Sequence, residues 1–241
     1  MDIYLVLIKL LCAHLCADFI FQTDCINKGK RKQGIEGLKY LLLHSIIHAI
    51  AAYLFMADWT NIIIPLVIFS SHFAIDMIKS RYFKESLSTF FTDQFLHIAV
   101  IGALWFVMFG ETANFTYLKN LCSTKIWLIV TTYILMLKPS SIALSLFLKK
   151  WTPESIGVQS LPNAGQWIGY IERILILTFV MAGNFEGVGF LLAAKSVFRF
   201  GELSKAKEIR TTEYVLIGTL ASFSIAILTG IALSYATSWL G

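Results

Sequence analysis

All five histidines of this chain stand in pairs of ionisable residues four positions apart, and every pair sits inside an apolar run. The pairs are His14 with Asp18, His44 with His48, His72 with Asp76, and Asp93 with His97. On an α-helix this spacing stacks two side chains on one face, about 6 Å apart along the axis. On a strand it would separate them by about 13 Å. Isolated ionisable groups in apolar surroundings cost several kcal/mol each, so any fold of this chain must gather these eight against one another, water or a cation.

The runs that carry them are long enough to cross a bilayer. Hydrophobic residues make up 57% of the 241 and aromatic residues 14%, which is the composition of an all-α polytopic transmembrane helix bundle. At about 20 residues per crossing, about 7–8 spans are expected, near 3–22, 38–57, 61–79, 90–109, 126–148, 166–182, 186–200 and 213–238. The 186–200 segment is short, bears glycines and closes on Lys195 and Arg199, as a re-entrant or protein-packed helix would. The first stretch carries His and Asp and lacks a basic leader and a small-residue cleavage signature, so it reads as a retained span rather than a signal peptide. Residues 1–110 form a four-helix module with all eight ionisable residues, and 111–241 supply further helices expected to pack against it.

A formal charge of +5 would suggest nucleic-acid affinity in a soluble protein. Here the basic residues fall between apolar runs: Lys28, Lys30, Arg31, Lys32 and Lys39, then Lys79, Arg81 and Lys84, then Lys149 and Lys150, then Lys205, Lys207 and Arg210. The alternate connections, around Asp58, Glu111 and Glu186, hold few. By the positive-inside rule the basic loops are cytoplasmic and both termini face outward, with anionic membrane lipid as the partner and no nucleic acid. Cys12, Cys16, Cys25 and Cys122 have no metal-ligand or disulfide-framework spacing and read as small buried hydrophobes.

Orientation assigns a depth to each ionisable residue. At 1.5 Å per residue, His14, His48, His72 and His97 fall within roughly 5 Å of the bilayer centre, while Asp18, His44, Asp76 and Asp93 lie roughly 5–10 Å toward the cytoplasm. Inward-running spans read His-x-x-x-Asp and the outward-running fourth reads Asp-x-x-x-His, so reversal of the helix keeps the layers in register. The second span departs by placing His44 in the Asp layer. Neutral imidazoles and carboxylates suit Zn²⁺, Fe²⁺ or Mn²⁺, with zinc the default for a His-rich set. Eight donors exceed the needs of one ion, so some orient the ligands or two ions share a carboxylate. The alternative is a hydrogen-bonded network that only ties helices together.

The stretches HLCADFIFQTD from His14, LLLHSIIH ending at His48, SHFAIDMIKSRYF from Ser71 and FTDQFLHIAV from Phe91 resemble a bacterial integral-membrane family known as domain of unknown function thirty-three-oh-seven. The resemblance covers roughly the first half of the chain. It implies the membrane fold, a bacterial inner-membrane location and the site, but no substrate. By analogy of site alone, the arrangement also resembles intramembrane metal hydrolases such as the alkaline ceramidase type.

Further polar residues are candidates for substrate contact. Gln22 belongs to the first motif, where it either holds substrate or a water, or simply ends a span. Lys138 precedes Pro139 in the fifth span, where the proline frees a backbone carbonyl and can kink the helix. Arg173 and Arg199 match phosphate geometry better than lysine does, with a Glu172–Arg199 ion pair plus lipid contact as the competing reading. Ser71, beside His72, is placed to hydrogen-bond an oxyanion.

Three functions remain open. A metal-dependent hydrolase would act at the cytoplasmic leaflet on a lipid or other amphiphilic ester, amide or phosphoester, with Asp76 or Asp93 relaying the proton. A divalent cation or proton transporter would use the same residues but needs polar groups leading outward, where the outer halves of the first four spans offer little beyond Lys9, Tyr53 and Asn61. A structural protein braced by a metal would close the coordination shell. Lys9 fits none of these readings.

Overall fold

The computed structural model describes residues 3–109, 121–152, 163–200 and 209–240, without the side chains of 3, 121–123, 198–200 and 209. Every regular element among them is helical. The chain forms two compact units, Met1–Ile134 and Leu135–Gly241.

The first unit contains α1 (Ile3–Cys16), α2 (Asp24–Gly29), α3 (Gly34–Met56), α4 (Ile63–Tyr82), α5 (Leu87–Phe109) and all but the last residue of α6 (Leu121–Leu135). Helix α1 packs on α3, α3 on α4, α4 on α5 and α5 back on α1, a closed ring of four. Each helix turns one stripe inward. Helix α4 buries Ile64, Ile68, His72 and Asp76, and α5 buries Asp93, His97, Ile101 and Leu104. Each stripe is ionisable at one end and apolar at the other. The apolar ends meet in a core of Val6, Leu10, Ala52, Met56, Ile64, Ile68, Ile101 and Leu104, and the ionisable ends meet beyond it.

The outward faces are apolar as well: Ile46, Ile50 and Leu54 on α3, Leu66 on α4, and Phe95 and Phe106 on α5 are exposed. Helices hydrophobic all round belong in lipid. Six stretches among the described residues are long and apolar enough to cross a membrane: Tyr4–Phe21, Gly34–Met56, Ile63–Tyr82, Leu87–Phe109, Thr124–Trp151 and Arg210–Trp239. The fold is an all-α polytopic bundle. Because lipid tails are as apolar as leucine, the core layer contributes packing contacts, and the ionisable layer is what must be shielded from lipid. Lys9 also finds a partner, its Nζ lying 5.5 Å from the Trp127 ring centroid on α6, a cation–π contact.

The second unit contains α7 (Lys138–Leu148), a 3-10 turn at Lys149–Trp151, α8 (Ala164–Met181), α9 (Phe185–Phe200) and α10 (Ile209–Trp239). Helix α10 lies against α8 and α7, and α8 also touches α9. At 16 residues, α9 is about 24 Å long, shorter than a hydrocarbon core of about 30 Å. The fifth apolar run is broken: α6 ends at Leu135, Leu137 takes φ −83 and ψ −115, and α7 restarts with Pro139 in its first turn. Proline lacks the N–H that would continue the ladder and its ring excludes the carbonyl four residues back. Arg173 on α8 covers the break, donating from Nε to the Met136 carbonyl at 2.7 Å and from Nη2 to the Leu137 carbonyl at 3.3 Å.

Candidate metal centre

The eight ionisable residues of the four-helix ring converge, and none is more than 8% exposed. Asp18 is the hub. It lies in a π-helical turn, Ala17–Phe21, that continues α1, where the Gln22 N–H reaches back five residues to the Ala17 carbonyl at 3.0 Å. Such turns recur at functional positions because the wider step re-aims the side chains it carries. Asp18 Oδ1 is 3.1 Å from His44 Nε2 and 3.0 Å from His48 Nε2. Its Oδ2 is 3.7 Å from His14 Nε2 and accepts from Gln94 Nε2 at 2.9 Å. Gln94 Oε1 lies 3.2 Å from His14 Nε2, so one amide orients both residues.

The rings form a pile. His48 and His72 stack with centroids 3.5 Å apart, and His72 and His97 with centroids 3.7 Å apart. His14 stands 5.5, 5.3 and 5.4 Å from His48, His72 and His97. On the other side of the stack, His97 Nε2 is 3.7 Å from Asp76 Oδ1 and 3.5 Å from Asp93 Oδ1. His44 Nε2 links the two halves, 3.4 Å from Asp76 Oδ2.

Two ligand sets result: His14, Asp18, His48 and His72, and Asp76, Asp93 and His97. Within each, one ligand atom per residue lies within 4.8 Å of the others, somewhat wider than the spacing of about 3.4 Å in a tetrahedral shell with bonds of about 2.1 Å. A self-sufficient hydrogen-bonded network would satisfy its own members. Here His72 Nε2, His97 Nε2 and Asp93 Oδ1 are buried without a hydrogen-bond partner. Buried polar atoms left so cost about 1–3 kcal/mol each. A cation taking up their lone pairs removes that cost, so the donor set fits a metal ion.

Two lysines enter the site. Lys30 Nζ donates to Asp76 Oδ2 at 2.7 Å and Lys79 Nζ to Asp93 Oδ2 at 2.5 Å. Lys30 is held at the end of α2, whose first turn is capped by Thr23 Oγ1 accepting from the Ile26 N–H at 3.4 Å. Glycines bring α2 and the turn after it against α3: a Cβ on Gly29 would lie 2.4 Å from Tyr40 Cγ, and one on Gly37 would lie 2.0 Å from the carbonyl oxygen of Lys32 in that turn. Only residues without a Cβ permit this approach.

The remaining candidates are placed differently. Gln22 Nε2 donates to the Asp18 carbonyl at 3.2 Å, and its Oε1 is buried without a partner. Ser71 Oγ donates to the Ile68 carbonyl at 3.2 Å, within its own helix. Lys138 and Arg173 belong to the second unit. Arg173 is 2% exposed and, besides the two carbonyls, donates to Ser141 Oγ at 2.6 Å and Ser222 Oγ at 3.2 Å. The partner of Glu172 is Lys195, at 2.6 Å; the side chain of Arg199 lies outside the described residues. Cys12 and Cys16 are buried, whereas Cys25 is exposed, its Sγ 3.8 Å from Tyr40 Oη, and the side chain of Cys122 is outside the described residues.

Gln94, Lys30 and Lys79 are the site residues that pattern reading missed. Lys79 had a signal, since it follows Asp76 by three and extends the His72–Asp76 face. Gln94 precedes His97 by three. Lys30 had none beyond its membership of a basic loop.

Fold and site together define a polytopic helical bundle, compatible with a membrane, whose buried His/Asp cluster could hold a metal ion. The family model described as Protein of unknown function (DUF3307) matches residues 6–142, and the chain belongs to that family. The matched range contains the whole cluster with Gln22, Lys30, Lys79 and Gln94. Neither a curated protein nor a solved structure matches the chain.

Proposed function

We propose that this protein is a membrane-embedded, metal-dependent hydrolase that acts on a lipid or other amphiphilic ester, amide or phosphoester. The observation that carries this reading is the set of buried ligand atoms without a hydrogen bond, His72 Nε2, His97 Nε2 and Asp93 Oδ1, beside the Asp18 hub. His14, Asp18, His48 and His72 hold the ion, with zinc favoured over iron or manganese by the imidazole-rich set. A bound divalent ion lowers the pKa of water to near 7 and polarises a carbonyl or phosphoryl oxygen. Asp93, 3.5 Å from His97 Nε2, or Asp76 takes the proton from the attacking water and returns it to the leaving group. Gln22 Oε1 accepts from a polar headgroup. Ser71 reaches an oxyanion only by leaving the Ile68 carbonyl. Lys138 and Arg199 stay candidates for an anionic headgroup, while the donors of Arg173 are committed to the helix break.

The apolar core supports hydrolysis over transport. On one side of the histidines the four-helix ring closes with Val6, Leu10, Met56, Ile64, Ile68 and Ile101, which blocks passage of an ion through that side. The other side carries Lys30 and Lys79, and by the positive-inside rule it faces the cytoplasm of a bacterial inner membrane. The test is to incubate the zinc-loaded protein with a broad panel of extracted lipids. A product formed by the parent and absent with Asp18→Asn supports the reading; unchanged lipid profiles across the panel count against it.

A further inference from the structure

The two ligand sets differ in what already occupies them. Asp18 is surrounded by imidazoles and one amide. Asp76 and Asp93 each hold an ammonium on Oδ2, while Asp93 Oδ1 and His97 Nε2, 3.5 Å apart, are buried without hydrogen-bond partners. This half therefore offers free lone pairs on one side and is plugged by cations on the other. The charges are matched, because one divalent ion replaces two ammoniums without changing the net charge beside the carboxylates. The two plug lysines are exposed to different degrees, Lys79 at 29% and Lys30 at 10% of its side chain, and lysine is a flexible, strongly hydrated point charge that pays little to return to water.

We propose that Asp76, Asp93 and His97 form a second divalent-cation site, and that Lys30 and Lys79 occupy it when the ion is absent. Cation entry is an exchange in which both ammoniums leave the carboxylates for the aqueous loops. The proposal rests on the metal-binding reading of the cluster but not on the ion in the His14, Asp18, His48 and His72 set. It makes occupancy stepwise, with that first set filling at low free metal and the second filling only where metal outcompetes the lysines.

The experiment is a zinc titration of the full chain in detergent, at free zinc set by chelator buffers and read as ions bound per chain. The parent is expected to bind one ion tightly and a second at least tenfold more weakly. In Lys30→Met/Lys79→Met the second ion should bind at least tenfold more tightly than in the parent while the first is unchanged, and Asp93→Asn should abolish the second ion alone. Because the double variant leaves two buried carboxylates unpaired, zinc should raise its thermal midpoint more than it raises the parent's. If that variant does not fold, Lys79→Met alone carries the test with a gain of at least threefold. Second-ion affinity that is unchanged or weaker on lysine removal, or a second ion that survives Asp93→Asn, overturns the proposal. Loss of the tight first ion with retention of the lysine-dependent one would instead overturn the hydrolase site and leave this proposal standing.

Discussion

The imidazoles of His48 and His72, contributed by α3 and α4, lie face to face with ring centroids 3.5 Å apart. Stacked rings cannot serve as each other's hydrogen-bond partners, so their nitrogens must look sideways. His48 Nε2 finds Asp18 Oδ1 at 3.0 Å, while His72 Nε2 is 4.0 Å from the same oxygen and finds no hydrogen bond. The stack thus gathers imidazole nitrogens in one place and leaves some of them without a hydrogen bond, so the group could hold a metal ion.

Asp18→Asn keeps the volume of the hub and removes its charge. Zinc affinity of the first set should fall by more than about 100-fold, beyond the 10–100-fold typical of losing an outer partner. Calorimetric titration of the detergent-solubilised protein checks this, and an affinity close to the parent's would show that Asp18 is not a ligand.

Gln94→Leu tests an orienting role. Its amide joins Asp18 Oδ2 and His14 Nε2, so its loss should weaken zinc binding by about 10–100-fold while the number of ions per chain is retained. Loss of stoichiometry instead of affinity would place Gln94 among the ligands.

Gly29→Ala should strain the α2–α3 contact, since the new methyl would meet the Tyr40 ring at 2.4 Å. Overpacking of this kind costs about 1–3 kcal/mol. The cost should be read in denaturant unfolding and largely recovered in Gly29→Ala/Tyr40→Leu; failure of that second change to rescue would mean the strain lies elsewhere.

Arg173→Met removes the donors that cover the break between α6 and α7. Each carbonyl loses its Arg173 bond, but the Met136 carbonyl keeps Ser140 Oγ at 2.8 Å and the Leu137 carbonyl keeps Ser140 Oγ at 3.1 Å and the Ser141 N–H at 3.3 Å. Each lost hydrogen bond should cost about 0.5–1.5 kcal/mol, since neither carbonyl is left bare, seen as a lower thermal midpoint. Zinc affinity of the first unit should be unchanged, and a fall in it would give Arg173 a part in the metal site.

Much of the site was legible because four-residue spacing has one physical meaning on a helix. It picks out all eight residues that the four-helix ring brings together. The π-helical turn at Asp18 was not legible, since a wider step is imposed by tertiary packing and leaves no local signature. Lys30 and Lys79 read as loop charges because composition assigns basic residues to the membrane surface, and only three-dimensional proximity turns them inward. The broken fifth run was half-legible: Pro139 announced a disturbance, but the arginine that bonds the Met136 and Leu137 carbonyls lies on α8. Residues 1–110 mark where the ionisable pattern stops, whereas compactness divides the chain after Ile134, because α6 meets the first helices through Lys9–Trp127 and Phe55–Trp127.

The most direct test of the account is the metal content of the purified full-length protein after zinc loading and desalting, beside Asp18→Asn and His72→Ala. The account gives at least one tightly held divalent ion per chain in the parent and its loss in both variants. A folded parent that retains no stoichiometric ion would contradict it.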